Sequence, residues 1–456
     1  MPHDPAVLDA VVKAYDVRGL TATQLTPALV HDLGAAAAVV VRGDEGPFLV
    51  GRDMRPSSPD LVEAFARGLS GQGVDVIDLG LASTDLVSYA SGVLDAPAAM
   101  FTASHNPAGY NGIKLSRAGA VPVAIDTGFG EMRDLVLAGV PAPRPAAEHG
   151  TRTTRDLLED FAAHVRSFVD VDVLRPVSVA VDAGNGMAGH VWPAVVAGLP
   201  IETAPLFFEL DGTFPNHPAN PLEPANLRDL QRAVREGGHA LGLAFDGDAD
   251  RVFAVDETGA PVASSLVGAV VADRMLRAHP GETVLHNLIC SRVVAETITA
   301  AGGTAVRTRV GHSFIKRRMA ETGAIYAVEH SGHFYFRDHY RADSGLVAAL
   351  VLIEAVAAAD APLSQVIAPY DRYPSSGELN FTVDDPVSLI EQVAGAFAGR
   401  GSSDREDGLT VVLDDGWFNL RPSNTEPLLR LNVEGDDDDA LARIRDEVAS
   451  HLAGSA

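Results

Sequence analysis

Three times along the chain an apolar run ends in a short polar loop that opens a helix: at Gly51-Arg52-Asp53, at Asp182-Ala183-Gly184, and over Asn287 to Ser291. The recurrence is spaced by roughly 105 to 130 residues, the scale of a domain rather than of a short solenoid repeat. Strands alternating with helices specify largely parallel sheets covered by helices. The pattern therefore predicts three related α/β units. In the first, Phe48-Leu49-Val50, Val74 to Gly80 and Ala98 to Phe101 read as strands, with helices over Pro27 to Val41 and Pro59 to Ser70, the latter capped by Ser58. In the second, Val177 to Val181 and Ala240 to Phe245 are strands and Leu227 to Glu236 a helix. The third contains a helix over Leu266 to Ala278 and the strand Thr283 to His286. Its apolar stretch Leu346 to Ala359 is interrupted by Glu354 and is short for a membrane span, so it reads as a buried helix.

The chain changes character from about Tyr370. Strands over Glu378 to Val383, Gly408 to Leu413 and Leu428 to Val433 mix with helices over Pro386 to Ala398 and Asp438 to Ala453, which describes a small α+β domain. Pro141 to Arg155, rich in Pro, Ala and charge, reads as a linker. The expected boundaries are 1–150, 151–254, 255–368 and 369–456.

Composition narrows the classes of function. The 456 residues are 46% hydrophobic and 21% charged, ordinary for a globular protein. The net charge of -26 repels polyanions, so nucleic acid and acidic membranes are not expected partners. The one cysteine, Cys290, fits a reducing compartment, and Met1-Pro2-His3-Asp4 carries no signal-peptide pattern; a cytoplasmic location is expected. An acidic chain that handles an anionic substrate needs a locally basic cleft, so cations within motifs carry the most information.

Five stretches suit phosphoryl chemistry. Ser104 follows the apolar run Ala98 to Phe101 and sits in Thr102-Ala103-Ser104-His105-Asn106-Pro107, a polar loop at a strand end able to carry a phosphoryl group, or a simple turn. Asp246, Asp248 and Asp250 stand at alternate positions after another apolar strand, so three hard oxygens share one side. Arg421-Pro422-Ser423-Asn424-Thr425 combines a guanidinium, two hydroxyls and an amide, a donor set for phosphate. Glu329-His330-Ser331-Gly332-His333 offers the mixture that sugar hydroxyls require, and Tyr15-Asp16-Val17-Arg18-Gly19 suits anion contact. A Ser104–His105 hydrolase dyad is a poor reading, since neighbouring side chains rarely face each other.

Taken in chain order, Tyr15 to Gly19, Thr102 to Pro107, Asp246 to Arg251, Glu329 to His333 and Arg421 to Pro427, these motifs span nearly the whole chain and resemble the α-D-phosphohexomutase family, and within it the phosphomannomutase/phosphoglucomutase group. The resemblance implies four domains around a central cleft, three of one α/β fold and a smaller phosphate-binding fourth. It implies a phosphorylated Ser104, with Mg²⁺ held by Asp246, Asp248, Asp250 and a phosphate oxygen on Ser104. Arg18, His105 and Lys114 would surround the reacting group. Tyr15, Arg251, His312, Glu329, Ser331 and His333 would line the cleft with Arg421, Ser423, Asn424 and Thr425 on the distal phosphate. The implied reaction moves phosphate between hexose 6-phosphate and hexose 1-phosphate, for mannose and also glucose, through a hexose 1,6-bisphosphate, in a monomer or homodimer. One departure stands out: Ile289 occupies a third-domain loop position where relatives often carry Lys. The competing readings are a phosphoglucosamine mutase, a phosphatase with Asp246 as nucleophile, and a non-catalytic sugar-phosphate binder.

Overall fold

In the computed structural model, which describes residues 3–43, 46–422 and 428–453, the recurrent strand–loop–helix pattern becomes a recurrent sheet. Phe48–Arg52 lies between Val76–Leu81 and Ala98–Phe101 and is parallel to both. Val177–Asp182 lies in the same way between Ile201–Leu206 and Leu241–Phe245. Thr283–Asn287 lies between Thr304–Thr308 and Tyr326–Val328. In each unit the third of these strands ends in a short loop and is paired with an antiparallel return strand: Tyr110–Arg117, Val252–Asp256 and Phe334–Phe336. One spatial order thus serves three sheets. Strands covered on both faces can be apolar at every position rather than at alternate ones, and Ala98–Phe101 and Leu241–Phe245 are buried throughout.

The fourth unit is an antiparallel sheet in the order Ser375–Thr382, Leu428–Gly435, Gly416–Pro422, Leu409–Leu413, Ser402–Asp404. Its helices Pro386–Ala396 and Asp438–Ala453 share a separate apolar core with it, including Val393, Phe418, Leu431 and Ile444. The helix Gly345–Ala359 is buried from Gly345 to Ala357, and its lone carboxylate, Glu354, is paired with Arg274 at 3.1 Å. None of the described helices is long and apolar enough to cross a membrane.

The structure departs from the sequence reading in four places. Tyr110–Arg117, which takes in most of the glycine-rich segment Ala108 to Lys114 and carries no strand pattern in the sequence, is an eight-residue strand. Its Gly112 is needed because a Cβ there would lie 2.4 Å from the carbonyl oxygen of Val17. Arg152–Thr154, inside the expected linker and beyond residue 150, pairs with Val76–Leu81 of the first sheet. The second sheet runs past residue 254, through Val252–Asp256 to Pro261–Val262. Ser58 does not cap its helix: it is the first helical residue, and its hydroxyl donates to Asp53 at 2.7 Å.

Candidate active site

The loops after Ala98–Phe101, Leu241–Phe245 and Tyr326–Val328 are equivalent by topology, and they carry Ser104, the Asp246–Asp250 triplet and Glu329 to His333. Ligand sites collect beyond the carboxyl ends of parallel strands, where neighbouring connections diverge. Each repeat therefore presents its chemistry from the same corner.

Ser104 is 6% exposed and has φ 48°, in the left-handed region. Its N–H donates to Thr102 Oγ1 at 2.9 Å, which holds the turn. Its hydroxyl donates to Asp246 Oδ2 at 2.7 Å and lies 3.2 Å from both an Arg251 nitrogen and His105 Nδ1. The left-handed turn brings the neighbouring Ser104 and His105 side chains together after all, against the general rule for adjacent residues. His105 is nevertheless a weak base: burial, followed by the Arg251 and Arg18 charges, pushes its pKa down to about 2. Arg18 is aimed by Asp16 at 2.5 Å and by Asn106 Oδ1 at 2.7 Å.

The aspartate loop meets the serine loop backbone to backbone. A Cβ on Gly247 would lie 2.5 Å from the carbonyl oxygen of Ser104, so only glycine permits this approach. Asp246, Asp248 and Asp250 are buried. Burial, and then Asp248 and Asp250, push the Asp246 carboxyl up, while the adjoining Arg251 opposes them. Lys114 Nζ donates to Asp248 Oδ2 at 2.8 Å and Asp250 Oδ2 at 2.7 Å. Burial disfavours its charge, but the two carboxylates outweigh burial and raise its pKa. Asp248 Oδ1 and Asp250 Oδ1 are buried with no hydrogen-bond partner. One oxygen from each of the three aspartates lies within 4.8 Å of the others. Hard anionic oxygens with unmet lone pairs at this spacing fit a small divalent cation such as Mg²⁺.

The third loop closes over this pair. Arg251 and His333 form an isolated antiparallel bridge. His333 Nδ1 is 3.0 Å from Ser331 Oγ, and its Nε2 stands 3.8 Å from Asp250 Oδ1 and from Asp343 Oδ2. Glu329 is buried and accepts from Gly311 N at 3.0 Å and Tyr335 OH at 2.7 Å. His312 packs edge-on against Tyr15, ring centres 5.1 Å apart, and burial with the Lys316 charge lowers its pKa to about 3. In the fourth unit Arg421 is buried, and its guanidinium donates to Glu378 at 3.0 Å. Ser423, Asn424 and Thr425 lie outside the described residues.

Comparison with known proteins agrees with the geometry. Residues 9–128, 159–259 and 264–373 match the three alpha/beta/alpha domains of phosphoglucomutase/phosphomannomutase, and 378–451 match its C-terminal domain. The chain belongs to the phosphoglucomutase/phosphomannomutase family. It is 39% identical to a Xanthomonas campestris protein named for phosphohexose mutases, over 96% of this chain and 98% of that one. It is 35% identical to a Pseudomonas putida phosphomannomutase/phosphoglucomutase, over 98% and 96%. A Burkholderia thailandensis crystal structure of a phosphoglucomutase/phosphomannomutase family protein superposes with TM-score 0.89 at 31% identity, covering 100% of this chain and 98% of that one. Members of this family are intramolecular phosphotransferases, and the chain is an enzyme of that class.

Two positions of this phosphohexomutase carry weight that sequence reasoning did not give them. Arg55, inside the polar loop of the first repeat, is fully buried and reaches the carbonyls of Ser104, Asn106, Pro107 and Tyr110 at 2.7 to 3.0 Å. Thr84 donates to Asp248 Oδ2 at 2.6 Å from the start of another helix. The only available signal for Arg55 was its place two residues after Asp53 at the end of a central strand. Ile289 is buried in a small apolar cluster with Leu288 and, from the fourth unit, Trp417.

Proposed function

We propose that the enzyme interconverts hexose 6-phosphates and hexose 1-phosphates, with mannose and glucose as the sugars, through a phosphorylated Ser104. The observation that carries this reading is the Ser104 hydroxyl bonded to Asp246 beside Arg251, with Asp248 and Asp250 of the same loop joined by Lys114.

In the first transfer the bond from phosphorus to Ser104 Oγ breaks as one forms to the free sugar hydroxyl, giving a hexose 1,6-bisphosphate. After the bisphosphate turns over, its other phosphate returns to Ser104. Asp246, Asp248 and Asp250 would hold Mg²⁺ together with a phosphate oxygen, and the bound ion supplies Lewis-acid neutralisation of phosphoryl charge. Arg251 and Arg18 offset further charge on the moving group. Of Lys114 and His105, the two candidates for exchanging the hydroxyl proton, Lys114 is held charged by Asp248 and Asp250 and can donate one, while His105, its pKa pushed down to about 2, is a poor acceptor. Tyr15, His312, Ser331 and His333 wall the sugar, and Arg421 anchors the distal phosphate. Positioning dominates, because the loose transition state asks little covalent chemistry of the protein.

Asp246 is a poor nucleophile for the phosphatase alternative. Its Oδ2 accepts from Ser104 and Arg251, and its Oδ1 from the Arg251 N–H at 3.2 Å. Peptide mapping after incubation with glucose 1,6-bisphosphate is expected to find phosphate on Ser104. A coupled assay with Mg²⁺ should show turnover of mannose 1-phosphate and glucose 1-phosphate. Undiminished activity in Ser104→Ala would overturn the reading, and turnover of glucosamine 1-phosphate alone would overturn the sugar assignment. The reading includes a cytoplasmic monomer or homodimer, checked by cell fractionation and sedimentation.

A further inference from the structure

Asp246, Asp248 and Asp250 all have their Oδ2 taken by donors of the protein. Asp246 Oδ2 accepts from Ser104 at 2.7 Å and from Arg251 at 2.9 Å. Asp248 Oδ2 accepts from Lys114 at 2.8 Å and from Thr84 Oγ1 at 2.6 Å, and Asp250 Oδ2 accepts from Lys114 at 2.7 Å. What Asp248 and Asp250 leave unpaired is one buried oxygen each, Oδ1. Ser104, Lys114 and Arg251 already have places in the phosphoryl transfer. Thr84 has none there, and it comes from a helix of the first unit, 164 residues from Asp248 along the chain.

Thr84 is buried and doubly attached to Asp248. It opens the helix Thr84–Val93, and a first-turn N–H has no acceptor within its own helix. That N–H donates to the Asp248 carbonyl at 3.1 Å, so Thr84 holds both the main chain and the side chain of Asp248. The helix start is itself pinned: Ser83 caps it, and buried Asp85 accepts from the hydroxyls of Ser83 and, at 2.7 Å, of Ser344 in the third unit. Gly345 then packs on the aspartate loop from the other side. A Cβ there would lie 2.8 Å from the Arg251 carbonyl carbon and 3.1 Å from the Ala249 carbonyl oxygen. Two helix starts from different units thus grip one loop, whose Ala249 is fully buried at φ 62°, a conformation that a residue with a side chain adopts only when its surroundings impose it.

We propose that Thr84 is a positioning residue that sets the metal preference of this site: by holding Asp248 Oδ2 it limits Asp248 to one oxygen toward the cation, which favours Mg²⁺ over Ca²⁺. The proposal rests on the reading of Asp246, Asp248 and Asp250 as the metal ligands. Mg²⁺ is small, demands near-octahedral geometry and takes few protein oxygens, whereas Ca²⁺ accepts more oxygens in looser geometry, bidentate carboxylates included. A carboxylate with one oxygen withheld suits the first ion and penalises the second. Without the Thr84 hydroxyl, Asp248 Oδ2 is left to Lys114, which is shared with Asp250, and the carboxylate is free to turn both oxygens to a larger ion.

The test counts Mn²⁺ bound to the full chain by electron paramagnetic resonance and measures its displacement by Mg²⁺ and by Ca²⁺, for the wild type, Thr84→Val and Thr84→Ser. Valine keeps the shape and removes the hydroxyl. In Thr84→Val the ratio of Mg²⁺ to Ca²⁺ affinity is expected to fall by about tenfold or more, the size of effect seen when a partner behind a metal ligand is removed. Thr84→Ser keeps the donor and is expected to keep the ratio. Thermal melting checks folding, and Thr84→Ala, which adds no bulk, carries the same expectation as Thr84→Val. An unchanged ratio in folded Thr84→Val and Thr84→Ala, with the two affinities intact or weakened alike, overturns the proposal and leaves the metal reading standing. A ratio lost equally in Thr84→Ser also overturns it. A wild type that binds no Mn²⁺ overturns the metal reading itself and the proposal with it. None of these readouts depends on mutase turnover.

Discussion

Every N–H of the Arg55 guanidinium has an acceptor: Asp53 Oδ2 at 3.1 Å and the four carbonyls of the serine loop. The loop's own carbonyls have no strand partner at these positions, so Arg55 satisfies them in place of a ladder. Lysine has three donors and no planar fork and cannot replace it. Arg55→Met is expected to cost roughly 3–5 kcal/mol of stability, because it leaves Asp53 as a buried charge without its partner. Urea denaturation with the wild type as reference measures this; a loss below 1 kcal/mol would contradict the argument. Gly247 makes a second residue-scale case. In Gly247→Ala the new Cβ meets the Ser104 carbonyl oxygen at 2.5 Å, and the two loops must part. Overpacking of this kind costs typically 1–3 kcal/mol. Weaker Mg²⁺ binding by titration calorimetry is the expected outcome, with the sheets intact by circular dichroism.

Two helices from different units end on one carboxylate. Ser83 caps Thr84–Val93 and Ser344 caps Gly345–Ala359, and both hydroxyls donate to buried Asp85. Burial first, with a further contribution from Asp250, pushes the Asp85 pKa up to about 7 despite these bonds. The folded state therefore binds this proton more tightly than the unfolded state does. Stability from this group is fully present below about pH 4 and is lost as pH rises to about 7, by roughly 4 kcal/mol at most. Asp85→Asn is expected to flatten that slope. Denaturation midpoints taken between pH 4.5 and 7.5 test it, and parallel slopes in the two proteins would rule out Asp85 as the source.

At the scale of the molecule, the fourth unit is tied to the third mainly by charge. Arg292 bonds Glu434 and Asp436 and stacks on Tyr373 at 3.8 Å, and Arg307 bonds Asp404. The apolar part of this interface is the small Leu288–Ile289–Trp417 cluster. The Glu434 carboxylate is buried, but the pairs to Asp436 and Asp404 are partly exposed, and exposed ion pairs contribute little and can be exchanged for substrate contacts. Closure of the fourth unit over a hexose bisphosphate is expected, seen as a smaller radius of gyration in solution scattering. No change at saturating ligand would argue against a moving fourth unit.

The amino-acid pattern alone was sufficient for the repeated α/β units, for the α+β character of the C-terminal segment and for the strands that carry Ser104 and Asp246. Burial on both faces and strand-to-helix alternation are local properties that a sequence displays directly. Sequence reasoning placed the repeat at Asp53, Asp182 and Asn287, however, while the chemistry lies on the neighbouring strands, since strand order in space is not written in strand order along the chain. The return strand Tyr110–Arg117 was hidden because its one glycine, Gly112, answers to a carbonyl of another strand rather than to a turn. Arg55, Thr84 and Asp85 were silent for the same reason: each acts through partners 49 to 259 residues away. Residue type and spacing state which groups can do phosphoryl chemistry. Only the packing of three sheets corner to corner decides which of them meet, because that contact depends on sites too small for a side chain and on buried polar atoms that must find partners.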